Sequence, residues 1–201
     1  MKNFGEIRVS VGFLFLVSAA WLFDVSGLVS AAVPAIFFHE AGHMLAICAL
    51  GGQIRCVSLE LSGLRIDYRG YLTPGGELFA AFSGPSLGAV YALAAAMAGR
   101  YLQSDFLKCS SGVSMVLTVF NLLPSMPLDG GRILKIILES LVGYNAADIF
   151  VFCLSVFIAA ALMLIGLLCV YEYGILGAMH AGIWILISNM QSIGLVKKHR
   201  V

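Results

Sequence analysis

The sequence predicts an all-α polytopic membrane protein of about six transmembrane helices, with a small amphipathic β-hairpin between the second and the third. Three observations lead there. Hydrophobic residues make up 60% of the 201 residues and charged residues only 11%, against about 45–50% and about 25% in soluble domains. So few charges could not cover so much apolar surface in water. The apolar residues also gather into runs near the ~20 that a helix needs to cross a bilayer. Finally, one stretch between two of these runs changes from a helical to a two-residue period. At this length a single domain, 1–201, accounts for the chain.

The first apolar run, 9–23, is short. Lys2 and Arg8 precede it as they would in a signal peptide. Trp21, Leu22 and Phe23 extend the run and no clear cleavage site follows, so it is expected to stay as an anchor. The other spans are expected at 28–50, 76–98, 107–124, 146–170 and 174–192. Between the second and third, Val57, Leu59 and Leu61 alternate with Ser58, Glu60 and Ser62. Leu64, Ile66 and Tyr68 then alternate with Arg65, Asp67 and Arg69. This reads as a hairpin turning at Ser62-Gly63 and lying on one membrane face.

Positive charge sets the orientation. With the N-terminus inside, ten of the 12 Lys and Arg residues are cytoplasmic, and only Arg100 and Lys108 lie outside. Both termini are then cytoplasmic, the C-terminus ending on a basic stretch that includes His199. No basic tract with interleaved aromatics is present, so no nucleic-acid partner is expected. The five cysteines are scattered without CxxC spacing, which predicts neither disulfides nor a thiolate metal site.

The second span contains His39-Glu40-Ala41-Gly42-His43, an HExxH motif. On a helix, positions i and i+4 share a face, so both imidazoles can reach one ion. Glu40 adjoins the first of them, where hydrolysis needs an acid/base group. With four histidines and six glutamates in the chain, a chance match is expected at roughly a few in a thousand. Ionisable groups inside a membrane span are costly and call for a compensating role. The bland alternative is a polar helix face packed on its neighbours.

A catalytic zinc site takes about three protein ligands, and the third must come from elsewhere. The best candidate is Asp129, in the segment Asn121-Leu122-Leu123-Pro124-Ser125-Met126-Pro127-Leu128-Asp129-Gly130-Gly131. Pro124 and Pro127 interrupt the fourth helix, and the glycines let the chain turn. The alternative is that Asp129 merely caps a following helix at 132–141.

These two segments resemble the site-2 proteases, a family of intramembrane zinc metalloproteases. That family joins an HExGH-type motif on one transmembrane helix to the Asp of an Asn-x-x-Pro-x-x-Pro-Leu-Asp-Gly segment on another. The resemblance covers about 28–142, the expected catalytic core. It implies that His39, His43 and Asp129 bind one zinc ion per chain and that Glu40 is the catalytic acid/base. It further implies a membrane-protein substrate in the bilayer, cut in or near its transmembrane segment. The family often carries Gly-Pro-x-x-Asn in its third helix. Here Ser83-Gly84-Pro85-Ser86-Leu87-Gly88 has Gly88 at the Asn position. The Gly84-Pro85 pair itself reads as a helix kink. With no segment long enough for a PDZ or CBS domain, the chain is similar to compact bacterial forms such as the sporulation-stage pro-sigma-factor proteases. A bacterial cell membrane is the location this implies.

Other signals are secondary. Ser111, Ser114, Thr118 and Asn121 form a polar stripe, read either as interhelical packing or as a wet path. The Asn121 amide could pin a substrate backbone or an oxyanion. Gly174, Ala178 and Gly182 suggest close packing of the last helix, and His180 a hydrogen bond to a neighbouring one. The rival readings are a CAAX-type membrane zincin, a non-haem iron oxygenase and a membrane metal-binding or metal-transport protein. The first needs a Glu ligand, and Glu60, Glu77, Glu139 and Glu172 have no such context. The second leaves Glu40 without a task. The third predicts ionisable residues in several spans, whereas here they concentrate in two segments.

Overall fold

The computed structural model describes residues 5–22, 24, 27–60, 63–173 and 177–198. Leu61 and Ser62 at the hairpin turn, Gly174 and His199 lie outside them. The chain divides into two compact units, Met1–Asn121 and Leu122–Val201.

The first unit runs β1 (Glu6–Val9), α1 (Val11–Leu22), α2 (Leu28–Ala49), β2 (Gln53–Glu60), β3 (Gly63–Arg69), α3 (Pro74–Tyr101) and α4 (Asp105–Asn121). Its helices start where side chains satisfy the orphan amides of a first turn. The Asp24 carboxylate accepts from the Leu28 and Val29 amides at 3.0 and 2.8 Å. Thr73 Oγ1 accepts from Gly76 N at 3.2 Å, with Pro74 as the first helical residue.

Small residues hold α2, α3 and α4 together. The buried face of α2 is Ala31, Ala35, His39, Gly42, His43 and Ala46, with Ile47 beside them. The spacing is one helical stripe, so the two histidines lie on the same seam as the alanines. On α3 the buried residues are almost all glycine and alanine, with Pro85 among them. On α4 they are Ser110, Ser114 and Thr118. The serines bond across the seam. Ser110 donates to the Ala31 carbonyl (2.8 Å), Ser111 to Ala92 (2.7 Å) and Ser114 to Gly88 (2.9 Å). Ser110 has only one hydrogen to give, so it accepts from Tyr91 Oη at 2.7 Å. For Ser111 and Ser114, the interhelical reading of the polar stripe is the one observed. The Asn121 amide turns back to the Leu117 carbonyl of its own helix at 3.0 Å.

The expected hairpin is two strands of a three-stranded sheet, in the order β1-β2-β3. β2 and β3 pair antiparallel, with an irregularity at Ile54/Cys56. β1 pairs parallel to β2, Glu6 opposite Cys56 and Val9 opposite Leu59. This strand was not foreseen. It is four residues long, sits in the basic flank of the first span, and its partner lies about 50 positions away. Position two of the order makes β2 the central strand, so its edge is not open. The inner face of β3 offers Ile66 and Tyr68 to a cluster of Ala46, Ile47, Leu72 and Ala80.

The second unit comprises α5 (Asp129–Val142), α6 (Tyr144–Tyr173) and α7 (Gly177–Lys198). α5 and α6 are clamped by Lys135, whose Nζ is 2.6 Å from Asp148 Oδ1 and 3.9 Å from Glu139 Oε1. Burial, the largest single influence, lowers the Lys135 pKa. The hydrogen bond and charge of Asp148, with Tyr144 and Glu139, outweigh it and raise the value above 10.5. α6 and α7 approach closely. A β-carbon on Gly182 would lie 2.7 Å from the Ala159 carbonyl oxygen, the close packing expected at that position.

Among the described residues, α2, α3 and α6 (Tyr144–Tyr171) are long and apolar enough to cross a membrane. At about 1.5 Å per residue, the 12-residue α1 reaches only about 18 Å. The expected kink does not interrupt α3, which runs on through Pro85.

Candidate metal centre

His39 and His43 stand one turn apart on the buried stripe of α2, 3% and 7% exposed. Their Nε2 atoms face each other at 3.3 Å. The rings are set at 76° with centroids 5.0 Å apart. His43 Nδ1 lies 2.8 Å from the carbonyl oxygen of Ala80 on α3. A carbonyl can only accept, so that nitrogen carries the proton. In a neutral imidazole the other nitrogen, Nε2, then presents a lone pair. This is how ligand histidines are commonly fixed in orientation.

α3 is cut away to make this possible. A β-carbon on Gly84 would fall on the His43 ring, at Nε2 and its neighbours. A β-carbon on Gly42 would strike the Ser83 carbonyl. The helices therefore touch backbone to backbone beside the first histidine pair, and His43 reaches over α3 through the gap at Gly84. Sequence reasoning assigned Gly84 to a kink and missed Ala80. The recurrence of small residues at 80, 84 and 88, one turn apart, was the available signal. Gly88 is equally constrained. A β-carbon there would lie 2.8 Å from Thr118 Oγ1 and 3.5 Å from His39 Nδ1. No side chain, Asn included, fits at 88 unless Thr118 yields. Thr118 Oγ1 is buried and has no hydrogen-bond partner.

The donor set fits zinc. Two nitrogens about 2.05 Å from a tetrahedral ion stand about 3.3 Å apart, the spacing seen between the two Nε2 atoms. Glu40 is half-buried on the same helix, next to His39.

Asp129 belongs to the second unit. It is the first residue of α5 and is 8% exposed. The N-cap position is Leu128, with no side-chain cap bond, so Asp129 is not the N-cap that the structural alternative required. The segment before it folds back on α5. β-Carbons on Gly130 and Gly131 would collide with the backbone of Leu122 and Ser125. His39, His43 and Asp129 are all buried and are of the types that could hold a metal ion. His180 lies exposed on α7.

Comparison with known proteins gives a consistent picture. The profile of Peptidase family M50 matches residues 78–166, from α3 into α6. A Synechocystis protein that bears a zinc-metalloprotease name is 28% identical over 127 residues, 59% of this chain and 34% of its own. A zinc metalloprotease of Methanocaldococcus jannaschii is 26% identical over 139 residues, 66% of this chain and 40% of its own. The chain thus spans about a third of the length of the curated relatives it matches. Among solved structures, the site-2 protease from Methanocaldococcus jannaschii superposes with a TM-score of 0.72 at 21% identity. That match covers 92% of this chain and 89% of the other, and it shows a shared fold.

Proposed function

From a chain that belongs to peptidase family M50, the site-2 proteases, we propose an integral-membrane zinc endopeptidase that hydrolyses a peptide bond in or near the transmembrane segment of a membrane-associated protein. The family is one of metalloproteases and its metal is zinc. The observation that carries the reading is the facing pair of Nε2 atoms, with His43 held in the ligating tautomer by Ala80. His39 Nε2, His43 Nε2 and a carboxylate oxygen of Asp129 would hold the ion. Bound zinc supplies Lewis acidity, which polarises a carbonyl and makes water acidic enough to act near neutral pH.

The rest falls to the chain's own side chains. Glu40 takes a proton from the attacking water as its oxygen bonds to the scissile carbon. It returns that proton to the nitrogen as the carbon–nitrogen bond breaks. Asn121 is a candidate to donate to the developing oxyanion. Its amide gives one hydrogen to the Leu117 carbonyl and has a second to give in that role.

The proposed arrangement in the membrane is about six spans with both termini cytoplasmic, in a bacterial cell membrane. His43 stands six residues before Ala49, the last residue of α2, which puts the site roughly 9 Å from the end of α2 that leads into the sheet. A bond reaching it would come from the cytoplasmic part of a substrate helix or its flank. That segment must be extended to expose its carbonyls, and an exposed sheet edge can hold it so. Because β2 is central, the docking edge proposed is the outer side of β3, which has no strand partner among the described residues.

The test is to compare membrane protein fragments from cells carrying the parent chain with those carrying Glu40→Gln. Cuts in or beside transmembrane segments should depend on Glu40. If the two fragment sets are the same, the chain is not such a protease.

A further inference from the structure

We infer that Ser155, on α6, is a positioning residue that holds in place the segment presenting Asp129. The inference rests on the reading of Asp129 as a zinc ligand.

The segment 122–128 cannot support itself as a helix would. Pro124 and Pro127 have no N–H to give. Two short backbone bonds tie it locally, Ser125 N to Leu123 O at 2.7 Å and Leu128 N to Ser125 O at 2.9 Å. The amide of Met126 points out of this small coil. It is taken up by Ser155 Oγ at 2.9 Å, from 29 residues further along the chain. Ser155 spends its own hydrogen on the Val151 carbonyl one turn back, at 2.7 Å. The hydroxyl is therefore fixed, with its acceptor side toward Met126.

The hydroxyl is withdrawn from water. Ser155 is fully buried, and so is Ser125, the residue before the half-buried Met126, and an amide in such a place is costly to leave unsatisfied. The other side of the same peptide is closed as well. A β-carbon on Gly131 would lie 2.6 Å from Met126 N. The Met126 peptide is thus pressed between Ser155 and the first turn of α5, whose first residue is Asp129. Among the described residues, the Ser155 bond is the hydrogen bond that this peptide receives from outside its own segment and α5, and losing it frees that support. Metal-ligand supports of this kind typically alter metal affinity by about 10- to 100-fold.

The experiment measures zinc held by purified full chain against a competing chelator, with hydrogen exchange at the Met126 amide. Ser155→Ala should hold zinc about 10- to 100-fold more weakly, with Met126 losing exchange protection. Ser110→Ala is the control, another fully buried serine that bonds a distant carbonyl. It should leave zinc affinity unchanged. Should the alanine variant fail to fold, Ser155→Thr and Ser155→Val are compared. They share a shape and differ in the hydroxyl, so Thr should hold zinc more tightly than Val. The inference is overturned if Ser155→Ala binds zinc as the parent does, if Ser110→Ala weakens zinc equally, or if Thr and Val behave alike. A parent chain that binds no zinc overturns instead the reading of the metal centre.

Discussion

The imidazole of His43 occupies the space in which any residue but glycine at position 84 would carry its β-carbon. A ligand on one helix is thereby made conditional on the absence of a side chain from another. Gly84→Ala should displace the His43 ring, weaken zinc binding and destabilise the fold by about 1–3 kcal/mol, the usual cost of overpacking. Zinc content and the thermal midpoint of the purified variant check this. A variant with parental zinc affinity would show that the ring moves without consequence.

Glu40→Gln separates chemistry from binding. Loss of the acid/base should lower cleavage by about 100- to 10,000-fold while zinc stays bound, because Glu40 is not assigned as a ligand. Metal analysis beside an activity assay decides it, and a variant that loses both contradicts the assignment.

Asp129 is expected to behave otherwise. Asp129→Asn replaces an anionic oxygen ligand with a neutral amide, so zinc retention and activity should fall together. If Asp129→Ala keeps both, the third ligand must be sought elsewhere.

The sheet edge is tested by single prolines at Leu64, Arg65, Ile66, Asp67 and Tyr68. Those that remove an outward N–H from β3 should raise KM with zinc content preserved. Cleavage unaffected at all five positions would remove β3 as a docking strand.

The clamp between α5 and α6 carries a pH signature. The folded pKa of Lys135 lies above its ordinary 10.5, so the pair's stabilisation is fully present below that value and is lost as pH rises through the folded one. The thermal midpoint should stay level in this respect from neutral pH to about 10 and then fall. Asp148→Asn should remove most of that alkaline loss and lower stability at pH 7 by at most about 1 kcal/mol, since Asp148 is 44% exposed and solvent screens the pair. An alkaline limb unchanged in Asp148→Asn would assign it to another group.

How far the sequence could be read depended on whether the signal was local. His39 and His43 are four apart, so helical periodicity alone brings them to one face. The helix edges followed composition closely. Most observed helices begin and end within about three residues of the expected positions, and α7 runs six further. What stayed hidden joins distant segments. β1 finds its partner about 50 residues on, the Ala80 carbonyl meets His43 from another helix, and Ser155 meets Met126. None alters the local pattern of its own segment. Gly84 shows a second limit. Gly-Pro in a helix first suggests backbone geometry, whereas the reason for this glycine is a side chain 41 positions earlier.

The seam of alanine, glycine and serine between α2, α3 and α4 has a consequence for how such a sequence can drift. Each backbone there leans on another with almost no side-chain volume between them, so there is nothing to repack when one residue grows. Positions 31, 35, 42 and 46, with 80, 81, 84, 88, 92 and 95 opposite, are open only to exchanges among the smallest residues. The outward faces of the same helices, Val33, Phe37, Phe79, Val90 and Met97 among them, meet no such wall and can vary freely among apolar types. Divergent descendants of this chain would share an almost unchanging inner stripe and an outer surface that retains little more than its oiliness.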